Sequence, residues 1–281
     1  MKKNIIIFIL VTMGSLVSCE DDFLELPPED SLSQNIFFET QNDFEQAINA
    51  AYAPLRDLHQ VGVSNDAGSW AMGELPSDNT YYKYSTTYRA VQNGESIADF
   101  YVNDGNLIIE TKYDTNYLII ARVNQILSLI DGAEFDDDSV KANIKGQAYF
   151  LRALCYFDLV QYFGSVPLHL EPVTGREDAA LPLSSIDEIY TQILADTAEA
   201  LLLLPSKSNQ ETGRVTLGSA QMLLANVYIV QENWSAAESV LSDLITSGEY
   251  SILGDYASVF DINNENSSES IFEIQFLGGT E

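Results

Sequence analysis

Apolar residues recur at helical spacing through most of this chain. Phe44, Ile48, Ala51, Tyr52 and Leu55 fall on one face, the 3.6-residue period of an amphipathic helix. Thr40 and Asp43, three residues apart, form a capping-box start for it, and the pattern predicts a helix to about His59. Pro54 lies inside that pattern, so a kink or break is expected near Ala53. A second helical pattern covers residues 107–130, with Tyr117, Ile120, Ala121, Asn124 and Leu127 along it, and stops at Gly132. A third covers 140–163; the acidic run Asp136-Asp137-Asp138 before it suits the positive end of a helix dipole. Ser185 and Glu188 make another capping box, opening a helix that Pro205 closes. Further helices are predicted over 217–231 and from a Ser235/Glu238 cap to Gly248. The last carries Ala237, Val240, Leu241, Leu244 and Ile245 as its apolar stripe.

Two stretches break the pattern. Residues 61–104 carry Gly62, Gly68, Gly73, Pro76 and Gly94 among many polar residues, with no helical period. A loop of that length inside a compact chain is usually functional or disordered. The cluster of Trp70, Tyr81, Tyr82, Tyr84 and Tyr88 argues against disorder. Near the C-terminal end, Phe272, Ile274 and Phe276 alternate with Ile271, Glu273 and Gln275, the period of a strand.

The helical part contains an internal repeat. Gly146, Ala148, Leu151, Ala153 and Tyr156 recur as Gly218, Ala220, Leu223, Ala225 and Tyr228, 72 residues on. Small residues on one face let a neighbouring helix approach closely. After the second copy come Asn233-Trp234 and Ala237, so a short turn leads into a second helix with an early alanine. That is the logic of a tetratricopeptide unit of about 34 residues, and the offset is close to two such units. Generic helix packing would also fit five matched positions. The expected fold class is mainly α: a tetratricopeptide-like helical solenoid with long irregular loops and a short C-terminal strand, each unit burying its core against its neighbours.

The N-terminus changes the picture of where the chain works. Met1-Lys2-Lys3 precedes an apolar run from Ile5 to Val17, ending in Leu16-Val17-Ser18-Cys19. This reads as a secretory signal over residues 1–18, too short for a comfortable membrane span of roughly 20 residues. Cys19 at the cleavage boundary is the expected lipidation site. Residues 19–34, with Glu20-Asp21-Asp22 and Pro27-Pro28, read as an acidic tether ahead of a domain over 35–281. Once Cys19 is acylated, Cys155 has no disulfide partner in the chain, so the fold must stand on its core.

Charge excludes further classes. The chain has 42 acidic and 13 basic residues, a net charge of −29, and removal of Lys2 and Lys3 takes it to −31. Such a surface repels nucleic acid and anionic lipid head groups. A hydrophobic content of 46% rules out general disorder.

Catalytic and cofactor signatures are missing from the sequence. There is no Gly-x-Gly-x-x-Gly, Walker glycine loop, Gly-x-Ser-x-Gly or His-Glu-x-x-His. The two histidines, His59 and His169, are far apart, and Cys155 sits among Phe150, Leu154 and Phe157, as a buried structural thiol would. Asp261-Ile-Asn263-Asn-Glu265-Asn spaces oxygen donors like a calcium loop, but lacks its central glycine and closing glutamate, so an EF-hand is rejected. No catalytic residue, metal ligand or cofactor is assigned. The affirmative signal is the aromatic segment. Trp70, Tyr81 and Tyr82 offer faces for sugar rings, and Asp78, Asn79 and Arg89 offer hydrogen bonds to hydroxyls. Packing of the same aromatics on the scaffold or at a protein interface is the alternative.

Several blocks together resemble the SusD/RagB family of nutrient-binding outer-membrane lipoproteins, from Cys19 onward. They are Pro27-Pro28 with Ser33 and Phe37-Phe38; Asn49-Ala-Ala-Tyr52; and Lys145-Gly-Gln-Ala-Tyr-Phe-Leu-Arg-Ala-Leu-Cys-Tyr-Phe-Asp-Leu-Val-Gln-Tyr-Phe-Gly-Ser-Val-Pro167. Gly213-Arg214-Val215-Thr216 leads a second block through Ala220, Leu223-Leu-Ala225, Tyr228 and Trp234. Tyr250, Phe260, Glu269 and Ile271-Phe272-Glu273 resemble the family's exit strand. The resemblance implies a helical scaffold that caps a SusC-like, TonB-dependent outer-membrane transporter and presents oligosaccharide or peptide to it. It implies a surface-export role for Glu20-Asp21-Asp22 beside the lipid. Family members continue for roughly as many residues again, so it also implies that this is an N-terminal portion whose ligand site is completed elsewhere. A scaffold that binds only the transporter proteins, with no sugar site, is the alternative function.

Overall fold

The computed structural model describes residues 38–59, 68–80 and 92–276. By its contacts the chain falls into two units, residues 1–39 and 40–281; the architecture below belongs to the second. Cys19, Tyr81, Tyr82 and Arg89 lie outside the described residues.

Local chemistry sets most helix ends. The helix α1 (Gln41–Tyr52) starts at a capping box: Asp43 Oδ2 accepts from Thr40 N at 2.8 Å while Thr40 Oγ1 accepts from Asp43 N at 3.4 Å. Pro54 separates it from α2 (Leu55–His59), as expected of a residue with no N–H to give. Two short helices follow, α3 (Ser69–Glu74) and α4 (Gln92–Ala98). They correct the expectation of an irregular stretch over 61–104. At six and seven residues, neither is long enough for an amphipathic period to register.

Next come the two longest helices. In α5 (Leu107–Leu129) the first turn is capped by Asn106, whose Oδ1 accepts from Ile108 N at 3.0 Å and Ile109 N at 3.3 Å. In α6 (Asp138–Phe163) the cap is Asp137, and Gly164 at φ +67° ends the helix. After an excursion containing α7 (Arg176–Ala179), a Ser185–Glu188 capping box opens α8 (Ile186–Leu203). The final pair is α9 (Leu217–Val230) and α10 (Trp234–Thr246).

The cap of α10 differs from expectation. Asn233, not Ser235, is the N-cap, accepting from Ala236 N at 3.4 Å. Glu232 at φ +58° turns the chain, and Asn233 N returns to Tyr228 O at 2.8 Å, so the helix starts earlier. The C-terminal alternation also resolves differently. Residues 271–276 form no strand ladder among the described residues; they pack on helices and on the turn before α9 instead. Phe272 meets the Phe150 ring edge-on with centroids 6.0 Å apart, and the Ile271 carbonyl accepts from Ser219 Oγ at 3.2 Å.

The helices stack in sequence: α5 on α6, α6 on α8, α8 on α9, α9 on α10, with α1 lying across α5 and α6. Ile119, Ile120, Val123, Leu151, Leu159 and Ile189 are wholly buried where the long helices meet. The repeat has a structural meaning here. Ala148, Leu151 and Ala153 are buried on α6, as Ala220, Leu223 and Ala225 are on α9. A Cβ on Gly146 would come 2.9 Å from Leu203 Cβ at the end of α8, and one on Gly218 would meet Tyr250, just after α10. Each glycine thus admits the far end of the helix hairpin it begins. The hairpins α6/α8 and α9/α10 are successive, so the 72-residue offset is one step lengthened by residues 164–185, not two units. Trp234 opens α10 but is 62% exposed, while Ala237 is buried.

A buried polar network secures that inserted excursion. Arg152 grips Asp196 with two bonds of 2.7 Å and donates to Asn124 Oδ1 at 2.8 Å and Leu170 O at 3.2 Å. Asn124 donates onward to His169 O at 2.9 Å, and the Tyr156 hydroxyl donates to the same carbonyl at 2.8 Å. Tyr117 donates to Pro167 O at 2.6 Å. Among the described residues no helix is long and apolar enough to cross a membrane.

Candidate functional site

The expected ligand segment begins on α3. Ala71 and Leu75 bury one side of this helix with Ile97 of α4 and Ile108 of α5. Trp70 is left 39% exposed. Beyond the helix a compact turn forms: Ser77 N donates to Glu74 O at 3.0 Å, Asn79 N to Ser77 Oγ at 3.3 Å, and the Thr80 hydroxyl also donates to Glu74 O. Asp78 and Asn79 stand exposed on that turn. Of the six ligand residues expected from the sequence, the structure therefore places Trp70, Asp78 and Asn79 on one short exposed segment. Tyr81, Tyr82 and Arg89 follow it outside the described residues. An aromatic face with nearby carboxylate and amide groups is the chemistry that holds a sugar ring by stacking and hydroxyl bonding.

Three features near this segment were not singled out in the sequence. A cleft of about 340 Å³ beside α4 is lined by Asn93, Glu95, Ser96, Tyr101, Asn103 and Asn106. Asn106 is fully engaged there, donating to Asn93 O at 2.9 Å and Ser96 Oγ at 2.8 Å. Phe100, next to Tyr101, sits at φ +58° with its ring exposed. Below α3, Lys112 is completely buried and paired with Asp158 at 2.7 Å. A lone lysine in an apolar helix at four-residue spacing from Asn116 is the one signal that could have drawn attention to it.

A second cleft of about 280 Å³ lies between α1 and the turn before α9, lined by Asn49, Tyr52, Arg56, Glu211, Arg214 and Gln275. Its polar groups largely satisfy one another. Arg214 pairs with Glu211 at 2.6 Å and reaches Gln147 at 3.2 Å, and the Tyr52 hydroxyl donates to Gln147 at 3.0 Å. Burial pushes the Tyr52 phenol above its usual range. Cys155 is buried, and desolvation pushes its thiol well above its ordinary value. That keeps it protonated at neutral pH, as a packing residue rather than a nucleophile. No group of three or more His, Cys, Asp or Glu suited to a metal occurs among the described residues. Asp261, in the calcium-like stretch, caps a 3-10 turn by accepting from Asn263 N at 2.9 Å.

A stack of helix hairpins carrying an exposed tryptophan on a side helix defines a helical-repeat scaffold. Residues 22–229 match the SusD-like family model described as "Starch-binding associating with outer membrane", and the chain belongs to that SusD/RagB family. The SusD-like protein P25 of Formosa agariphila is 28% identical over 280 residues, covering 98% of this chain and 52% of that protein. A SusD-like protein of Bacteroides ovatus is 22% identical over 98% of this chain and 50% of its own length. Among solved structures, a laminarin-binding SusD-like protein superposes with TM-score 0.75 at 24% identity, covering 83% of this chain and 51% of that one. Surface glycan-binding protein A of Bacteroides uniformis gives TM-score 0.72 at 25% identity, with 83% and 52% covered. The chain spans about half the length of these relatives.

Proposed function

We propose that this protein is a non-catalytic, surface-exposed outer-membrane lipoprotein, anchored through Cys19, that captures oligosaccharide and passes it to a SusC-like, TonB-dependent transporter. The observation that carries the reading is Trp70, exposed on a helix that is itself seated on the scaffold, with Asp78 and Asn79 on the turn that follows. The family's description as starch-binding supports a glucan as ligand, and the laminarin-binding relative suggests β-glucans for the same panel. The signal at residues 1–18 and the acidic tether over 19–34 support the anchored location.

Calorimetry of the full chain against starch, laminarin and xylan oligosaccharides tests the site. Trp70→Ala should weaken binding at least tenfold, about 1.4 kcal/mol, without releasing sugar product in any variant. Unchanged affinity in Trp70→Ala and in a Tyr81→Ala/Tyr82→Ala double variant would remove this site. The runner-up, a protein-only scaffold of the transporter complex, draws support from the exposed Trp234, Tyr256 and Phe260. It is favoured if the chain co-purifies with the barrel but binds no glycan.

A further inference from the structure

Lys112 has no exposed surface. Withdrawing an ammonium from water costs several kcal/mol unless its donors are met. Here Asp158 meets it with both oxygens, at 2.9 and 2.7 Å, and the ammonium lies 4.4 Å above the Tyr162 ring. Asn116 steadies the pair, donating to Asp158 Oδ2 at 2.9 Å and to the Lys112 carbonyl at 3.0 Å. An apolar pair of similar volume would fill this space without the desolvation cost, so stability is a weak reason for the charge. What a methionine could not supply is the remaining bond: Lys112 Nζ donates to Ser69 Oγ at 3.2 Å.

Ser69 is the first residue of α3, and Trp70 is the second. This helix has six residues and no side-chain N-cap; a turn and a half is not stable alone. Its apolar seat, Ala71 and Leu75 on Ile97 and Ile108, holds it down, but apolar contact is non-directional and fixes rotation about the helix axis poorly. The Lys112–Ser69 bond is the polar tie between α3 and the long helices among the described residues. Gly73, one turn on, faces the same place: a Cβ there would lie 4.0 Å from the Tyr162 hydroxyl. Residues 69 and 73 share a helix face, so that face lies toward the Lys112–Tyr162 cluster, and Trp70 starts about 100° round the helix from it.

We propose that Lys112 is a positioning residue: through Ser69 it sets the rotational phase of α3 and so the direction in which the Trp70 indole is presented. The step from indole direction to glycan affinity rests on the ligand reading above; the positioning itself does not. The experiment uses the full chain carrying Trp234→Phe, which leaves Trp70 as the only indole of the two in the sequence. Ser69→Ala removes the acceptor while leaving the Lys112–Asp158 pair intact, and Ser69→Thr keeps the hydroxyl.

Ser69→Ala should shift the Trp70 emission maximum and raise its acrylamide quenching about twofold, with Ser69→Thr close to the parent. The urea midpoint followed by circular dichroism should barely move in either. Glycan affinity should fall several-fold in Ser69→Ala and return in Ser69→Thr. Emission and quenching unchanged in Ser69→Ala would overturn the proposal, as would Ser69→Thr behaving like Ser69→Ala. A shifted Trp70 signal in a protein that binds no glycan of the panel would uphold the positioning and sink the ligand reading instead.

Discussion

Arg152 shows how one side chain can organise a region that has almost no regular structure of its own. Its guanidinium spans α8 through Asp196, α5 through Asn124 and the excursion through Leu170 O. A planar, always-charged fork suits this task, where a lysine would supply only a point charge. Removing it strands a carboxylate that is 2% exposed. Arg152→Met is therefore expected to cost about 3–5 kcal/mol, while a double Arg152→Met/Asp196→Leu variant recovers much of it. Urea unfolding of the three proteins checks this; equal losses in single and double variants would contradict it. The sequence displayed Arg152 inside a recognisable block but not its role. Its partner lies 44 positions away, one of 42 acidic residues in the chain, and local spacing offers no means of choosing among them. Trp70, Asp78 and Asn79 could be proposed from the sequence because their chemistry is carried by residue type. Lys112 and Ser69 could not, because their contact exists only once two distant helices meet.

Among the elements, the legible features were those fixed within three or four residues. The Thr40–Asp43 and Ser185–Glu188 boxes start their helices where read, and Pro54 and Gly248 (φ +71°) end theirs. Ser235–Glu238 misled because Asn233, two residues earlier, competes for the same role and the turn at Glu232 favours it. The repeat was legible as residues but not as geometry, since its period is stretched by the excursion over 164–185. Its glycines give a direct test. Gly146→Ala would place a methyl group 2.9 Å from Leu203 Cβ, an atom too near its own backbone to swing aside. Overpacking of about 1–3 kcal/mol exceeds the gain of up to about 1 kcal/mol from replacing a helical glycine. A net loss of about 1–2 kcal/mol in thermal or urea unfolding is expected. A stabilised Gly146→Ala would show that α6 and α8 are not in such close contact.

Across the whole molecule, charge and apolar surface pull in opposite directions. Trp234, Ile245, Ile252, Tyr256, Phe260 and Ile262 are exposed along α10 and the segment after it, apolar surface on which two copies can meet. Lys112 and Arg152 are buried as ion pairs with Asp158 and Asp196, so the net charge of −29 is carried by the rest of the chain. Two copies approaching through α10 must bring these like-charged exteriors together. Repulsion of that kind reaches about 30 Å at 0.01 M salt but only about 8 Å at 0.15 M. Added sodium chloride should therefore drive the purified chain from single molecules toward larger species in light scattering. Trp234→Asp/Phe260→Asp should abolish the effect, whereas association that weakens with salt would mean that ion pairs, not apolar surface, join the copies. The buried cations of the core, each neutralised by its own carboxylate, thus offset none of the remaining acidic charge, and they leave the molecule a polyanion whose dispersal is set by the ionic strength around it.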